Sequence, residues 1–238
     1  MSQHNTGGEM NWRGSQLESR KLYLKFYDAI EVEAYERWIA QLTGEDDDAC
    51  LRDIQTSFHF ESGMKVLDVG AGTGAMCKTL LAIGGLKLFA LEPVPAMIKK
   101  FRSKSALGRV VLTEGFCDSL EDRHHFAENS FDVIVSRQLV NGLFDPLSAF
   151  RNWIHWLQPG GTVVVMDGLF DRNAWTGELE QVVDKLPMSA CRSIAMVPYL
   201  LENVGFQIDK VGFMSETNAR PGTRTQRYLV VASKPESP

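Results

Sequence analysis

Two carboxylates frame a loop of alternating glycines. Asp68 sits inside the apolar run Lys65–Val69, and Gly70, Gly72 and Gly74 follow in KVLDVGAGTGAMCKTLL. Glycines so placed permit positive φ and let a backbone approach a ligand closely; equally, they could serve close helix packing. Glu92 lies 20 residues beyond Gly72, at the end of the next apolar run. There a carboxylate can accept from both hydroxyls of a ribose, and charge-assisted bonds of that kind contribute roughly 1.5–3 kcal/mol each. Gly70, Gly72 and Ala75 also satisfy the relaxed dinucleotide fingerprint, and dinucleotide enzymes use a similarly placed acid. A negative charge at Asp68, however, is unhelpful beside a pyrophosphate. It suits a ligand that carries an ammonium group.

A second group of polar residues follows the strand candidates at 131–136 and 161–167. The first is followed by SRQLVNG, with Ser136, Arg137, Gln138 and Asn141; the second ends on Asp167 and leads into Asp171, Arg172 and Trp175. Arg137 could clamp a carboxylate or phosphate bidentately, or simply pair with a nearby acid. Asp167, at a strand's C-terminal end, could orient an amine or hydroxyl. His59, just before the first core strand, could face the same cavity or be a packed or surface residue. Tyr23 and Tyr27, in an aromatic-rich front section, could either pack on the main domain or cover a ligand site.

These residues need a scaffold, and the spacing supplies one. Short, nearly continuous apolar runs at 65–69, 86–91, 109–114, 131–136 and 161–167 read as strands buried on both faces. Helical patterns at 75–82, 95–104 and 146–157 alternate with them, which predicts a doubly wound α/β domain with right-handed crossovers. After a helical pattern near 195–204, the runs at 205–214 and 227–234 flank a linker with Pro221–Gly222 and should pair as an antiparallel hairpin. In front of this domain, residues 1–14 read as a disordered leader and 15–62 as a helical cap. Within the cap, GEDDDA reads as a solvated turn. The main domain then spans 63–238, with 169–200 as a lid segment.

Bulk composition narrows the partners. The chain has 238 residues, 44% hydrophobic and 23% charged, with a formal net charge of −5. An acidic balance disfavours nucleic acid, which normally wants a basic face. The first residues contain no secretory h-region and no apolar run is long enough to span a membrane. Cys50, Cys77, Cys117 and Cys191 are too dispersed for a metal site and read as reduced thiols of a cytoplasmic protein, monomer or homodimer.

The segment VLDVGAGTG resembles the first motif of class I S-adenosylmethionine (SAM)-dependent methyltransferases, and the terminal hairpin resembles that family's last two strands. EGFCDSLE resembles the adenine-contacting segment, and NSFDVIVSRQLVNGLFDPLSAFRNWIHWLQPGG resembles the region of strands four and five in the ubiquinone/menaquinone-biosynthesis type. One departure is EDRHH after Leu120, where the family often has proline. The resemblance implies a seven-stranded, mostly parallel sheet in the order 3-2-1-4-5-7-6, with strand 7 antiparallel. It implies SAM held by Asp68, Gly70, Ala71, Gly72, Gly74, Glu92, Pro93, Met97, Phe116, Cys117, Asp118, Ser136 and Arg137. Arg137, Asp167 and His59 are the candidates for catalysis. Tyr23, Tyr27, Gln138, Asn141, Asp171 and Trp175 are those for a small-molecule acceptor that takes the methyl group on oxygen, nitrogen or carbon. The sequence lacks the Asn/Asp–Pro–Pro–aromatic motif of enzymes that methylate nucleic-acid bases, which favours a small molecule. The rivals are a nicotinamide-dependent oxidoreductase, a SAM-binding module without catalysis, and a protein or RNA methyltransferase.

Overall fold

The computed structural model describes residues 12–27, 29–39, 41, 44–174, 180–223 and 225–236. Seven strands form one sheet, ordered β3-β2-β1-β4-β5-β7-β6. They are β1 (Lys65–Val69), β2 (Lys87–Glu92), β3 (Val111–Glu114), β4 (Phe131–Arg137), β5 (Leu157–Gly168), β6 (Gln207–Phe213) and β7 (Arg227–Ser233). The pairs from β3 through β5 are parallel, and β7 is antiparallel to both β5 and β6. This is the order and direction that the sequence motifs imply.

The central strands are apolar on both sides because both faces are covered. Val133, Ile134 and Val135 of β4 are all fully buried. One face packs against α6 (Pro146–Trp156), which buries Phe150, Trp153 and Trp156 with Leu67 and Val165. The other packs against α3 (Gly44–Gln55) and α4 (Ala75–Ile83), where Ile54, Met76 and Leu80 meet Val66 and Val164. Burying each such side chain fully stabilises the fold by roughly 1.5–3 kcal/mol. Helix starts are specified locally. Pro146 opens α6, and Asp145 Oδ1 accepts from Ser148 N at 3.0 Å. Pro95 likewise opens α5 (Pro95–Ser103).

Ahead of the sheet lie α1 (Trp12–Phe26) and α2 (Ala29–Ile39), followed by α3. Residues 1–11 of the expected leader lie outside the described residues, and α1 already runs from Trp12. The acidic GEDDDA segment is not a turn but the start of α3: Glu45, Asp46 and Asp47 sit in its first turn, where negative charge complements the helix dipole. Strand β5 begins at Leu157, earlier than expected, because a register shift between the Phe131–Leu157 and Val133–Thr162 pairs absorbs the Pro159–Gly161 turn. The 169–200 segment contains a short 3-10 turn at Arg172–Ala174, α7 (Glu180–Val183) and the start of α8 (Met196–Asn203). A one-turn helix, α9 (Ser215–Asn218), stands between β6 and β7, where none was expected. Among the described residues, no helix is long and apolar enough to cross a membrane.

Candidate active site

The C-terminal ends of β1, β2, β4 and β5 converge on a crevice that begins at the glycine loop. Gly70, Gly72 and Gly74 all have positive φ, at +70°, +56° and +91°. Their reasons differ. A Cβ at Gly70 would stand 2.7 Å from Leu139 Cδ1, and one at Gly74 would run into Leu107 and Phe101, so these two allow close packing. A Cβ at Gly72 would meet nothing nearer than Met97 Sδ at 3.7 Å, with the Tyr35 hydroxyl at 3.9 Å. A side chain there would make only ordinary contacts, so at Gly72 it is the left-handed backbone rather than packing that calls for glycine.

Glu92 ties this loop to β2. Its Oε2 accepts from Gly72 N at 2.8 Å and its Oε1 from Val94 N at 2.9 Å. Burial pushes its carboxyl up to about 7 against those two amide donors. Asp68, one turn of the pleat from the loop, accepts from Cys77 Sγ at 3.1 Å and is pushed by burial to about 6, with Arg137 pulling the other way. Two buried acids thus lie close enough to raise each other's cost of ionisation, and both gain from a ligand that supplies donors or positive charge.

Further along, Gly70, Pro93, Phe116, Cys117 and Asp118 line an apolar slot that Tyr23 of α1 closes. Asp118 Oδ2 accepts from Phe144 N at 2.7 Å, and Arg20 of α1 pairs with its other oxygen and with Asp122 at 2.7 Å. The Arg20 guanidinium also lies over the Phe116 ring, 4.4 Å from its centroid. Tyr23 packs at 4.8 Å from Tyr27 and 5.9 Å from Phe144 (centroid distances). Tyr23 therefore belongs to this slot, with Tyr27 packed beside it. Met97 and Ala71 are buried below the loop.

On the other side of Arg137 a second cavity of about 520 Å³ opens over β4, β5 and β7. Arg137, Gln138 and Asp167 line it, together with Arg220, Arg227 and Thr217. Arg137 pairs with Asp47 at 3.8 Å and also interacts with the Cys50 thiol. Asp167 is buried and pushed up to about 6, chiefly by that burial. Its Oδ1 accepts from Asn141 Nδ2 at 3.1 Å and Gly168 N at 2.7 Å, and its Oδ2 from Asn141 N at 3.2 Å. Asn141 and Asp167 therefore act on each other. Ser136 is fully buried at the end of β4, its hydroxyl without a partner. His59 is exposed and precedes the N-terminal end of β1, away from this edge. Asp171 is exposed and pairs with Arg192 at 3.6 Å. Trp175 lies outside the described residues.

Sequence reading passed over Arg20, Arg220, Arg227 and Thr217. The available signal for Arg227 was its place at the head of the last strand, antiparallel to β5, which returns its side chain to the C-terminal edge. Arg20 had none, since its partners lie about a hundred residues away.

A left-handed glycine loop, two buried acids and an apolar slot that includes Phe116 stand at the ends of β1 and β2. Residues 67–165 match the family model described as a methyltransferase domain. Phosphoethanolamine N-methyltransferase 1 of Triticum aestivum is 31% identical over 119 residues, 49% of this chain and 23% of its own length. A ubiquinone biosynthesis O-methyltransferase of Xanthomonas campestris is 31% identical over 101 residues, 42% of this chain and 41% of its own. The chain thus spans less than half the length of these relatives. Among solved structures, Haemonchus contortus phosphoethanolamine N-methyltransferase 2 in complex with phosphomonomethylethanolamine and S-adenosylhomocysteine superposes with a TM-score of 0.64 at 18% identity, covering 88% of this chain and 58% of that one. Together with the strand order, these matches support a class I SAM-dependent methyltransferase.

Proposed function

We propose that the chain transfers the methyl group of SAM to an oxygen, nitrogen or carbon of a small-molecule acceptor. The observation that carries this reading is the roughly 520 Å³ cavity lined by Arg137 and Asp167, which opens at the same C-terminal edge of the sheet as the glycine loop and Glu92. The crevice over β1 and β2 suits the donor, and the 520 Å³ cavity beside Arg137 is of a size that holds a small molecule. A module that only bound SAM would have no use for the second. In this reading Asp68 receives the donor's ammonium group, Glu92 its ribose hydroxyls, and the Pro93–Phe116 slot its base. Tyr23 and α1 cover the base, and Phe170, near the start of the proposed lid segment, packs beside Arg227 of the acceptor cavity.

When bound, SAM supplies an activated methyl group with a neutral thioether as leaving group. The acceptor's lone pair forms the new bond as the carbon–sulfur bond breaks, and any acceptor proton passes to solvent or to a nearby base. The protein's part is alignment, worth ~7–11 kcal/mol of barrier where the geometry is good. Ser136 and Arg137 end β4, Arg137 lines the larger cavity, and Asp167, held by Asn141, is a buried acid in the same lining. Wheat and worm relatives named for phosphoethanolamine, and a ubiquinone O-methyltransferase, support a small acceptor. The acidic balance and the absence of a membrane-spanning helix among the described residues are consistent with a cytoplasmic enzyme, monomer or homodimer. Incubation with methyl-labelled SAM and a metabolite extract, read by mass spectrometry, tests this: a labelled small product is expected. Stabilisation by NAD but not by SAM would overturn it in favour of an oxidoreductase.

A further inference from the structure

Four features meet at the head of β7. Arg227 opens that strand and pairs with Gly168, the last residue of β5. A Cβ at Gly168 would stand 2.7 Å from Arg227 Nη1 and 2.8 Å from Thr225 Cγ2, so the absence of a side chain there makes room for the guanidinium. Gln138 holds a left-handed backbone at φ 58°, uncommon for any residue but glycine. With its amide oriented to satisfy its neighbours, its Oε1 accepts from both Nη1 and Nη2 of Arg227. On the remaining side the guanidinium lies 5.4 Å from the Phe170 ring centroid. A slot, an unusual backbone and an aromatic wall therefore hold one cation in place at the cavity.

Its charge is only partly offset. Among the described residues Arg227 forms no ion pair with a carboxylate. Asp167 acts on it electrostatically but is not in ion-pair contact, and its own hydrogen bonds run to Asn141 and Gly168. Arg137 lines the same cavity from β4, two strands away, and repels Arg227. Its own partner Asp47, at 3.8 Å, also accepts from Thr79 at 3.1 Å. Arg220, by contrast, is paired with Glu45 at 2.8 Å and Asp46 at 3.0 Å. Two guanidinium groups, Arg137 with a long ion pair to Asp47 and Arg227 with no carboxylate in ion-pair contact among the described residues, thus line a cavity of about 520 Å³. A planar fork of N–H donors matches an oxyanion bidentately, and desolvation in a cavity strengthens the pairing.

We propose that Arg227, assisted by Arg137, forms an oxyanion subsite that seats a carboxylate or phosphate group of the methyl acceptor. The inference rests on the methyl-transfer reading of the adjoining crevice, which it deepens by naming the acceptor's chemistry. Gln138 and Phe170 position the guanidinium; they do not touch the anion.

The test uses the full chain saturated with S-adenosylhomocysteine. Inorganic phosphate and acetate are titrated separately by calorimetry at constant ionic strength, with chloride as the control. At least one of the two binds better than chloride, and Arg227→Gln weakens it about tenfold or more while leaving the S-adenosylhomocysteine dissociation constant within about twofold. Arg227→Lys keeps the charge but loses the fork, and weakens it about fivefold; it serves alone should the Gln variant fail to fold. A phosphate-selective response assigns a phosphate monoester, an acetate-selective one a carboxylic acid. Equal binding of all three anions, or unchanged affinity in the Arg227 variants, overturns the subsite. Should S-adenosylhomocysteine itself not bind, the methyl-transfer reading fails, and the same titrations without it still decide the anion site.

Discussion

Glu92 illustrates how a single side chain can serve the fold and a ligand together. Its two oxygens already accept from Gly72 N and Val94 N, so it shapes the loop before any ligand arrives. Each carboxylate oxygen has a second lone pair, and those remain for hydroxyl donors. Replacement by alanine removes both functions. Glu92→Ala is expected to weaken S-adenosylhomocysteine binding at least about tenfold, equivalent to one charge-assisted bond or more. Calorimetric titration checks this, and an unchanged dissociation constant would rule out the ribose role. Position 92 was legible in the sequence because an acid at the end of a second apolar run has few structural excuses. Arg227 was not, because its significance depends on Gly168 and Gln138, which only the antiparallel return of β7 brings beside it.

At the level of elements, the sheet could be read almost strand by strand because buried parallel strands are written as unbroken apolar runs. What escaped was whatever depended on distant partners. The GEDDDA segment reads locally as a solvated turn, yet its acids lie at the start of a helix and engage Arg220, Thr79 and Arg137. The small helix α9 is a similar case. Four residues do not make a stable helix alone. Asp53 of α3, 3% exposed, accepts from Glu216 N at 3.0 Å and Thr217 N at 2.8 Å, and so caps α9 from outside. Asp53→Ala is expected to cost about 1–2 kcal/mol, the usual range for loss of a capping acceptor. Because Thr217 lines the acceptor cavity, the same change should loosen that wall. Urea unfolding gives the first quantity; a loss below about 0.3 kcal/mol would mean that α9 holds its place without the cap.

Across the whole molecule, three buried acids at the C-terminal edge of the sheet give the protein a characteristic response to pH. Asp68 and Asp167 are pushed up to about 6 and Glu92 to about 7, each chiefly by burial. In the unfolded chain such groups titrate near ~4. Between those limits the native state holds more protons than the unfolded one, so stability falls as pH rises. The contribution of these acids is complete below about pH 4 and is lost as pH passes through 6 to 7. A ligand that brings an ammonium group to Asp68 and hydroxyls to Glu92 favours the ionised forms and offsets that loss. Stabilisation by S-adenosylmethionine should therefore be larger at pH 8 than at pH 5.5. Glu92→Gln cannot ionise, and relative to the native chain it should gain about 1–3 kcal/mol between those two pH values, since one unit of pKa corresponds to about 1.4 kcal/mol. Urea unfolding of both proteins at the two pH values measures the difference. Parallel pH profiles would show that Glu92 is ionised throughout, and that the donor crevice carries its negative charge before the ligand arrives.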